Sequence, residues 1–228
     1  LTLSAPPTDN SAAYRSFLSS VREKPGVESV ALASESLPSE LLSGNTFAWE
    51  GLGIPADSMR GLRVVAVSHG FFEAMGVGFL SGRAFERGRP ADSSGVVLNA
   101  RAVEVLSEGY AAAPHTPTEA EGKSLDVYGG WPMPEARVLG VVSNFHYATM
   151  HDQIDPIAFF LYPPMLDTYY VRVNAQTIDA SLGEVQAAWQ QFFPNAPFAY
   201  RFADASFEQA YRSEQRLGTL FSVFAGLA

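Results

Sequence analysis

The chain has 228 residues, more than the common domain size of ~100–150, so one large domain or two subdomains is expected. A hydrophobic content of 47% with 12% aromatics supplies a substantial core and excludes a disordered tail. Fifteen Lys and Arg against 24 Asp and Glu leave a net charge of −9, which argues against nucleic-acid binding, and the absence of cysteine excludes disulfides, thiol catalysis and Cys-ligated zinc.

Leu1–Leu3 reads as a short first strand. Asn10 or Ser11 can cap a helix whose Tyr14, Phe17, Leu18 and Val21 share one face, and Lys24-Pro25-Gly26 ends it. Val27–Ala33 then reads as a strand. Further on, Val64–Val67, Gly95–Leu98 and Arg137–Val142 are short β-like runs separated by Gly-, Pro- and Ser-rich loops. Gly76, Gly78, Gly82, Gly88 and Gly95 crowd this stretch, as turns needing positive φ would require. Ser107–Glu121 reads as a surface loop with little structure of its own. Tyr169–Val173 alternates as a strand, and Thr177 caps a helix with an apolar stripe of Ile178, Leu182, Val185, Trp189 and Phe192. Pro194 stops that helix and Phe198–Phe202 forms another strand.

Two strand–helix–strand units therefore bracket the chain, which predicts an α+β sandwich with helices on one face of a sheet. The division expected is a discontinuous subdomain, 1–75 with 145–216, carrying an inserted, mostly β subdomain at 76–144.

From Arg216 onward the sequence carries no further charge. Phe207, Ala210, Tyr211, Leu217, Phe221 and Phe224 keep the spacing of one helix face. A spanning helix needs ~20 apolar residues, so 217–228 is expected to be only the start of a membrane helix. Arg212, Arg216, Leu217, Leu220, Phe221 and Phe224 are the candidate membrane-junction residues. The alternative is a C-terminal helix docked into the domain's own core.

Catalytic motifs are scarce. Gly122-Lys123-Ser124 ends like a phosphate-binding loop, but Pro117 occupies the leading glycine position and lacks the N–H such a loop offers. Gly76-x-Gly78 followed by Gly82 is out of register with a dinucleotide fingerprint. No Gly-x-Ser-x-Gly elbow occurs. His146, His151, Asp152 and Asp155 form the densest polar cluster, yet positions five apart fall on different faces of a helix or strand. His69 and His115 are isolated. These residues predict neither a catalytic site nor a metal or cofactor, and the domain itself is not expected to be an enzyme.

Taken together, several short runs carry a family resemblance. Val138-Leu139-Gly140-Val141-Val142-Ser143-Asn144-Phe145-His146, followed by Ile154-Asp155-Pro156, resembles the signature of the extracytoplasmic (periplasmic core) domain of MacB/FtsX-type ABC transporter permeases. Met75-Gly76-Val77, Gly82-Arg83-Ala84-Phe85, Val96-Val97-Leu98-Asn99 and Gly122-Lys123-Ser124-Leu125 match in the same order. Tyr211-x-x-Glu214-x-Arg216, running into 217–228, resembles the entry to that family's second membrane helix. Asn144 stands where the family usually carries Asp, and the loop at 107–121 is longer than typical.

The resemblance implies a porter-like subdomain with an inserted, largely β (Sabre-like) subdomain, lying between the first and second membrane helices of a four-helix permease. It implies a location on the extracytoplasmic side of the cell inner membrane. It also implies three partners: a second permease copy, a cytoplasmic ATPase, and a periplasmic adaptor or other extracytoplasmic protein. The function implied is coupling of ATP-driven motion to substrate export or to that partner. The alternatives from other classes are a periplasmic hydrolase using the His146–Asp155 cluster and a ligand-sensing domain of a membrane receptor.

Overall fold

The computed structural model describes residues 1–4, 11–34, 45–128, 135–145 and 154–202. The chain opens with β1 (Thr2–Ser4), helix α1 (Ser11–Arg22) and β2 (Val27–Ala33). The middle supplies β3 (Thr46–Trp49), β4 (Arg60–Gly61), β5 (Arg63–Val67), α2 (Phe71–Met75), β6 (Phe79–Gly82), β7 (Gly95–Asn99), α3 (Ala100–Ser107), α4 (Pro117–Ala120), β8 (Ser124–Tyr128) and β9 (Glu135–Val142). It closes with β10 (Ile157–Leu161), β11 (Thr168–Val173) and α5 (Ile178–Phe192).

Among the described residues the strands form one mixed sheet in the order β1-β11-β2-β5-β10-β7-β9-β8-β3-β4, with β6 also paired to β9. The β5–β10 and β7–β9 pairs are parallel and the rest antiparallel. This is an α+β fold.

Alternation along the strands sends side chains to two faces, and each face has its own cover. At one end of the sheet, Leu3, Val30, Tyr169 and Val171 pack with Phe17 and Val21 of α1 and with Val185, Ala188 and Trp189 of α5. Phe17 meets Tyr169 edge-on at 4.9 Å and Trp189 at 5.5 Å between ring centroids. Fully burying such side chains is worth ~1.5–3 kcal/mol each, so the α1–α5 layer is a principal source of stability. Further along the same face, Ala102, Val103 and Leu106 of α3 cover Val64, Ala66, Leu98 and Phe160. On the opposite face Phe71 and Phe72 of α2 pack on Ala31, Ala33, Val65, Val97, Phe159 and Tyr170. Helices thus occupy both faces rather than one, because β2, β5, β7, β10 and β11 carry apolar residues at successive positions and leave neither face polar.

Four local expectations differ from what is found. The stretch at 107–121 contains α4, held by a capping box in which Thr116 accepts from the Glu119 N–H and Glu119 accepts from the Thr116 N–H. Thr177 sits at the start of α5 without making a cap bond; Asn174 instead accepts from the Gln176 N–H and a 3-10 turn, Ala175–Thr177, leads into the helix. Phe198–Phe202 reduces to a single bridge between Thr2 and Arg201. Among the crowded glycines, Gly76, Gly82 and Gly88 take positive φ, whereas Gly78 and Gly95 do not.

Candidate functional site

The two ends of the described chain meet at one edge of the sheet. β1 lies antiparallel to β11, and Val171 N donates to Leu1 O at 2.8 Å. On the other side of β1, Thr2 N donates to Arg201 O at 2.8 Å and Arg201 N returns a bond to Thr2 O at 3.0 Å. The segment after α5 is folded back to make this possible: Trp189 Nε1 donates to Ala196 O at 3.1 Å, and Phe198 and Tyr200 pack against the α1–α5 core. Residues 1–2 and 200–201 therefore lie side by side at this edge. The junction residues Arg212, Arg216, Leu217, Leu220, Phe221 and Phe224 lie outside the described residues. No helix among the described residues is long and apolar enough to cross a membrane.

Of the polar cluster after β9, Asp155 is the member among the described residues. His146, His151 and Asp152 lie outside the described residues. Asp155 accepts from Arg63 Nε at 2.8 Å, and its backbone carbonyl accepts from Asn99 Nδ2 at 2.8 Å. Asn144 Oδ1 accepts from the Arg101 N–H at 2.9 Å, at the start of α3. Asp155 and Asn144 thus hold strand ends and a helix start in place. Burial, with Arg87 nearby, lowers the pKa of His69 below the ordinary histidine value. His115 belongs to the α4 cap, its N–H bonded to Glu119. Among the described residues no three His, Asp or Glu side chains gather as metal ligands would. Gly122-Lys123-Ser124 is the turn between α4 and β8, where Gly122 N donates to Val138 O at 2.8 Å.

Two constellations tie the domain together, and a third buried group does not. Asn99, fully buried at the end of β7, accepts at Oδ1 from the Ala102 N–H (3.0 Å) and the Ile157 N–H (2.9 Å). One side chain thereby caps α3 and starts β10, which accounts for an asparagine closing the Val96–Asn99 run. Asn99→Ala removes an N-cap and orphans a buried Ile157 N–H, so a loss of about 2–4 kcal/mol is expected in urea unfolding.

The second constellation was not legible in the sequence. Asp92 is fully buried and takes a bidentate pair from Arg83, at 2.7 Å to each oxygen, plus the Glu86 N–H at 2.8 Å. The guanidinium holds the Asp92 carboxyl below the usual carboxylate range, against the upward pull of burial. Asp92 lies in a 3-10 turn, Pro90–Ser94, with no periodicity to mark it as buried.

By contrast, the Tyr169 hydroxyl is buried with no hydrogen-bond partner among the described residues, and burial pushes its pKa far above the ordinary phenol value. Removing an unsatisfied hydroxyl while keeping the ring should be neutral or stabilising. Tyr169→Phe is therefore expected to leave the melting temperature unchanged or raise it.

No protein-family model and no curated protein matches the sequence. Solved structures do. The periplasmic region of MacB from Actinobacillus actinomycetemcomitans superposes with a TM-score of 0.57 at 14% identity, covering 92% of this chain and 91% of that one. The extracellular domain of the noncanonic ABC-type transporter YknZ from Gram-positive bacteria superposes with a TM-score of 0.52 at 11% identity, covering 84% of this chain and 94% of that one. At such identities the likeness speaks for backbone architecture, and the chain has the fold of the MacB periplasmic region and the YknZ extracellular domain.

Proposed function

We propose that this chain is the extracytoplasmic domain of an ABC transporter permease, standing on the outer side of the cell inner membrane. It would couple ATP-driven motion of a cytoplasmic ATPase to substrate export or to a periplasmic partner. The carrying observation is that the likeness to two transporter domains extends over more than nine-tenths of each of them. The adjacency of Thr2 and Arg201 supports the reading. A domain inserted between two membrane helices must start and finish at one place, as the paired Thr2 and Arg201 do. In this reading, the run at 217–228 begins the second membrane helix, and a helix from about Ser206 through Arg212 and Arg216 acts as a lever. Displacement would enter the sheet at β1 and pass to the α1–α5 layer.

The division into 1–75 with 145–216, and an insert at 76–144, belongs to the same proposal. In its favour, the core nearest the chain ends draws its buried residues from Leu3–Val30 and Tyr169–Phe193, all within the first subdomain. The domain carries no chemistry of its own here. A second permease copy and the ATPase are its partners through the membrane helices, and an adaptor or other periplasmic protein is its partner outside. The commitment of Asp155 to Arg63 counts against a hydrolase built on that cluster.

These 228 residues hold no cysteine, so a single one placed in them, in a full-length protein freed of any other cysteine, tests the location. A single cysteine replacing the exposed Glu108 in the full-length protein should react with a membrane-impermeant maleimide in intact cells. Protection until the cells are lysed would refute the extracytoplasmic placement. Truncation after Gln215 tests the junction. A membrane helix fills no core of the domain, so the melt should stay put and solubility should rise. A docked helix would instead forfeit Leu217, Leu220, Phe221 and Phe224, at ~1.5–3 kcal/mol each, and the transition would collapse.

A further inference from the structure

A cavity of about 550 Å³ opens where the end of β3, the loop before α4 and the turn into β8 converge. This is within the range of small-molecule sites, ~300–1,000 Å³. Its apolar wall is Trp49, Leu52 and Pro114. That wall is fixed from behind: Trp49 Nε1 donates to Ser107 Oγ at 3.1 Å, and the same hydroxyl donates to the Pro114 carbonyl. The indole N–H is thereby already used.

The polar lining divides into committed and uncommitted groups. Glu119 is committed, because its carboxylate accepts the His115 and Thr116 N–H groups and is held below the ordinary carboxylate pKa by them. Glu50 and Lys123 are not. Their backbones are locked, Glu50 N to Ser124 O at 3.0 Å and Lys123 O accepting from Val138 N at 2.8 Å. Yet among the described residues neither side chain takes part in an ion pair. Two exposed residues, a glutamate and a lysine outside any ion pair, thus line one cavity together with the apolar Trp49, Leu52 and Pro114.

We infer that this cavity is a binding site for a small zwitterion with an apolar body, its ammonium at Glu50, its carboxylate at Lys123 and its body against Trp49, Leu52 and Pro114. The chemistry belongs equally to a free apolar amino acid and to a very short apolar peptide. The inference does not depend on the transporter reading, since it rests on the cavity alone.

Calorimetric titration of the 228-residue chain with L-phenylalanine and with L-leucyl-L-phenylalanine tests it, and the tighter of the two identifies the source. Saturable binding is expected for at least one. For that ligand, the N-acetylated form and the methyl ester, each lacking one pole, should bind about fivefold more weakly, the loss of one exposed charge pair. Glu50→Lys and Lys123→Glu should each weaken the zwitterion, and the double variant should recover it, because a reversed pair of poles accepts a reversed ligand. Three results would overturn the inference: no saturable heat for either zwitterion at ~10 mM, blocked probes binding as well as their parents, or a double variant no better than the singles. The blocked-probe comparison uses the unaltered protein, so a folding defect in a variant cannot mimic it.

Discussion

Gly82→Val is expected to destabilise the domain by about 3–5 kcal/mol, enough to unfold much of it near physiological temperature. Two independent costs meet at this residue. Its φ is +71°, a conformation that β-branched side chains essentially never adopt. A Cβ there would also overlap the Leu139 carbonyl oxygen and lie 2.6 Å from Gly140 Cα. Both neighbours are backbone of β9, the strand that pairs with β6, β7 and β8, so neither can step aside without breaking ladders. Two controls separate the costs. Gly88 has a φ of +78° with open space above it, so Gly88→Ala carries conformational strain alone, about 1 kcal/mol. Gly140 has no positive φ, but a Cβ there would lie 2.7 Å from Arg83 N, so Gly140→Ala carries the close approach alone. Urea unfolding should rank Gly82→Val well above Gly88→Ala, with Gly140→Ala between them. Equal midpoints for Gly82→Val and Gly88→Ala would show that β6 does not pass this close to β9.

What the sequence makes legible follows from how local each signal is. The stripes of α1 and α5 and the apolar runs of β2, β7, β9 and β11 are visible because burial imposes its period directly on the residues. The same periodicity misleads at 198–202, where Phe198, Tyr200 and Phe202 alternate like a strand. Their rings follow one another at 5.6 Å as each meets the next, but β1 is only three residues long and offers a backbone partner at Arg201 alone. Helix α4 hides in a stretch rich in Ala, Pro and Thr, although Thr116-Pro117-Thr118-Glu119 carries a capping-box signature with proline at the first helical position. That signal was readable. The Asn99 bracket was not, since nothing in a single sequence links position 99 to Ile157, 58 residues away. Covering both faces of the sheet likewise depends on α2, five residues whose two phenylalanines look like any short apolar pair.

The candidate sites divide the same way. A cavity assembled from Trp49, Pro114 and Lys123 has no sequence signature, because its three segments approach only through the β3–β8 pairing and the Trp49–Ser107 bond. The proposed junction at 212–224 is the reverse case: its apolar run is visible in one dimension, while its residues lie outside the described ones.

Arg83→Leu should cost about 3–5 kcal/mol at neutral pH, more than the loss of an exposed ion pair by several-fold. The reason is what it leaves behind. Asp92 has no exposed surface, and without the guanidinium its carboxylate keeps the Glu86 N–H and the charge of Arg89 against the cost of burial. Asp92→Asn should cost less, because the amide removes the buried charge and can still accept from Glu86, while Arg83, with about a third of its side chain exposed, can turn to water. The pH dependence has a definite sign. Pairing lowers the folded pKa of Asp92 below its unfolded value of about 3.9, so the stabilisation it contributes is present above that value and is lost as pH falls through the folded pKa. In Arg83→Leu the pairing is gone and burial raises the folded pKa instead. The variant therefore gains relative stability as its Asp92 takes up a proton, and the gap to the parent protein should narrow steadily from pH 7 towards pH 3. Paired urea titrations at pH 7, 5 and 3.5 read this directly. A gap that stays constant over that range would mean that Arg83 stabilises the turn at Pro90–Ser94 by packing, and that the Asp92 charge is not what it holds.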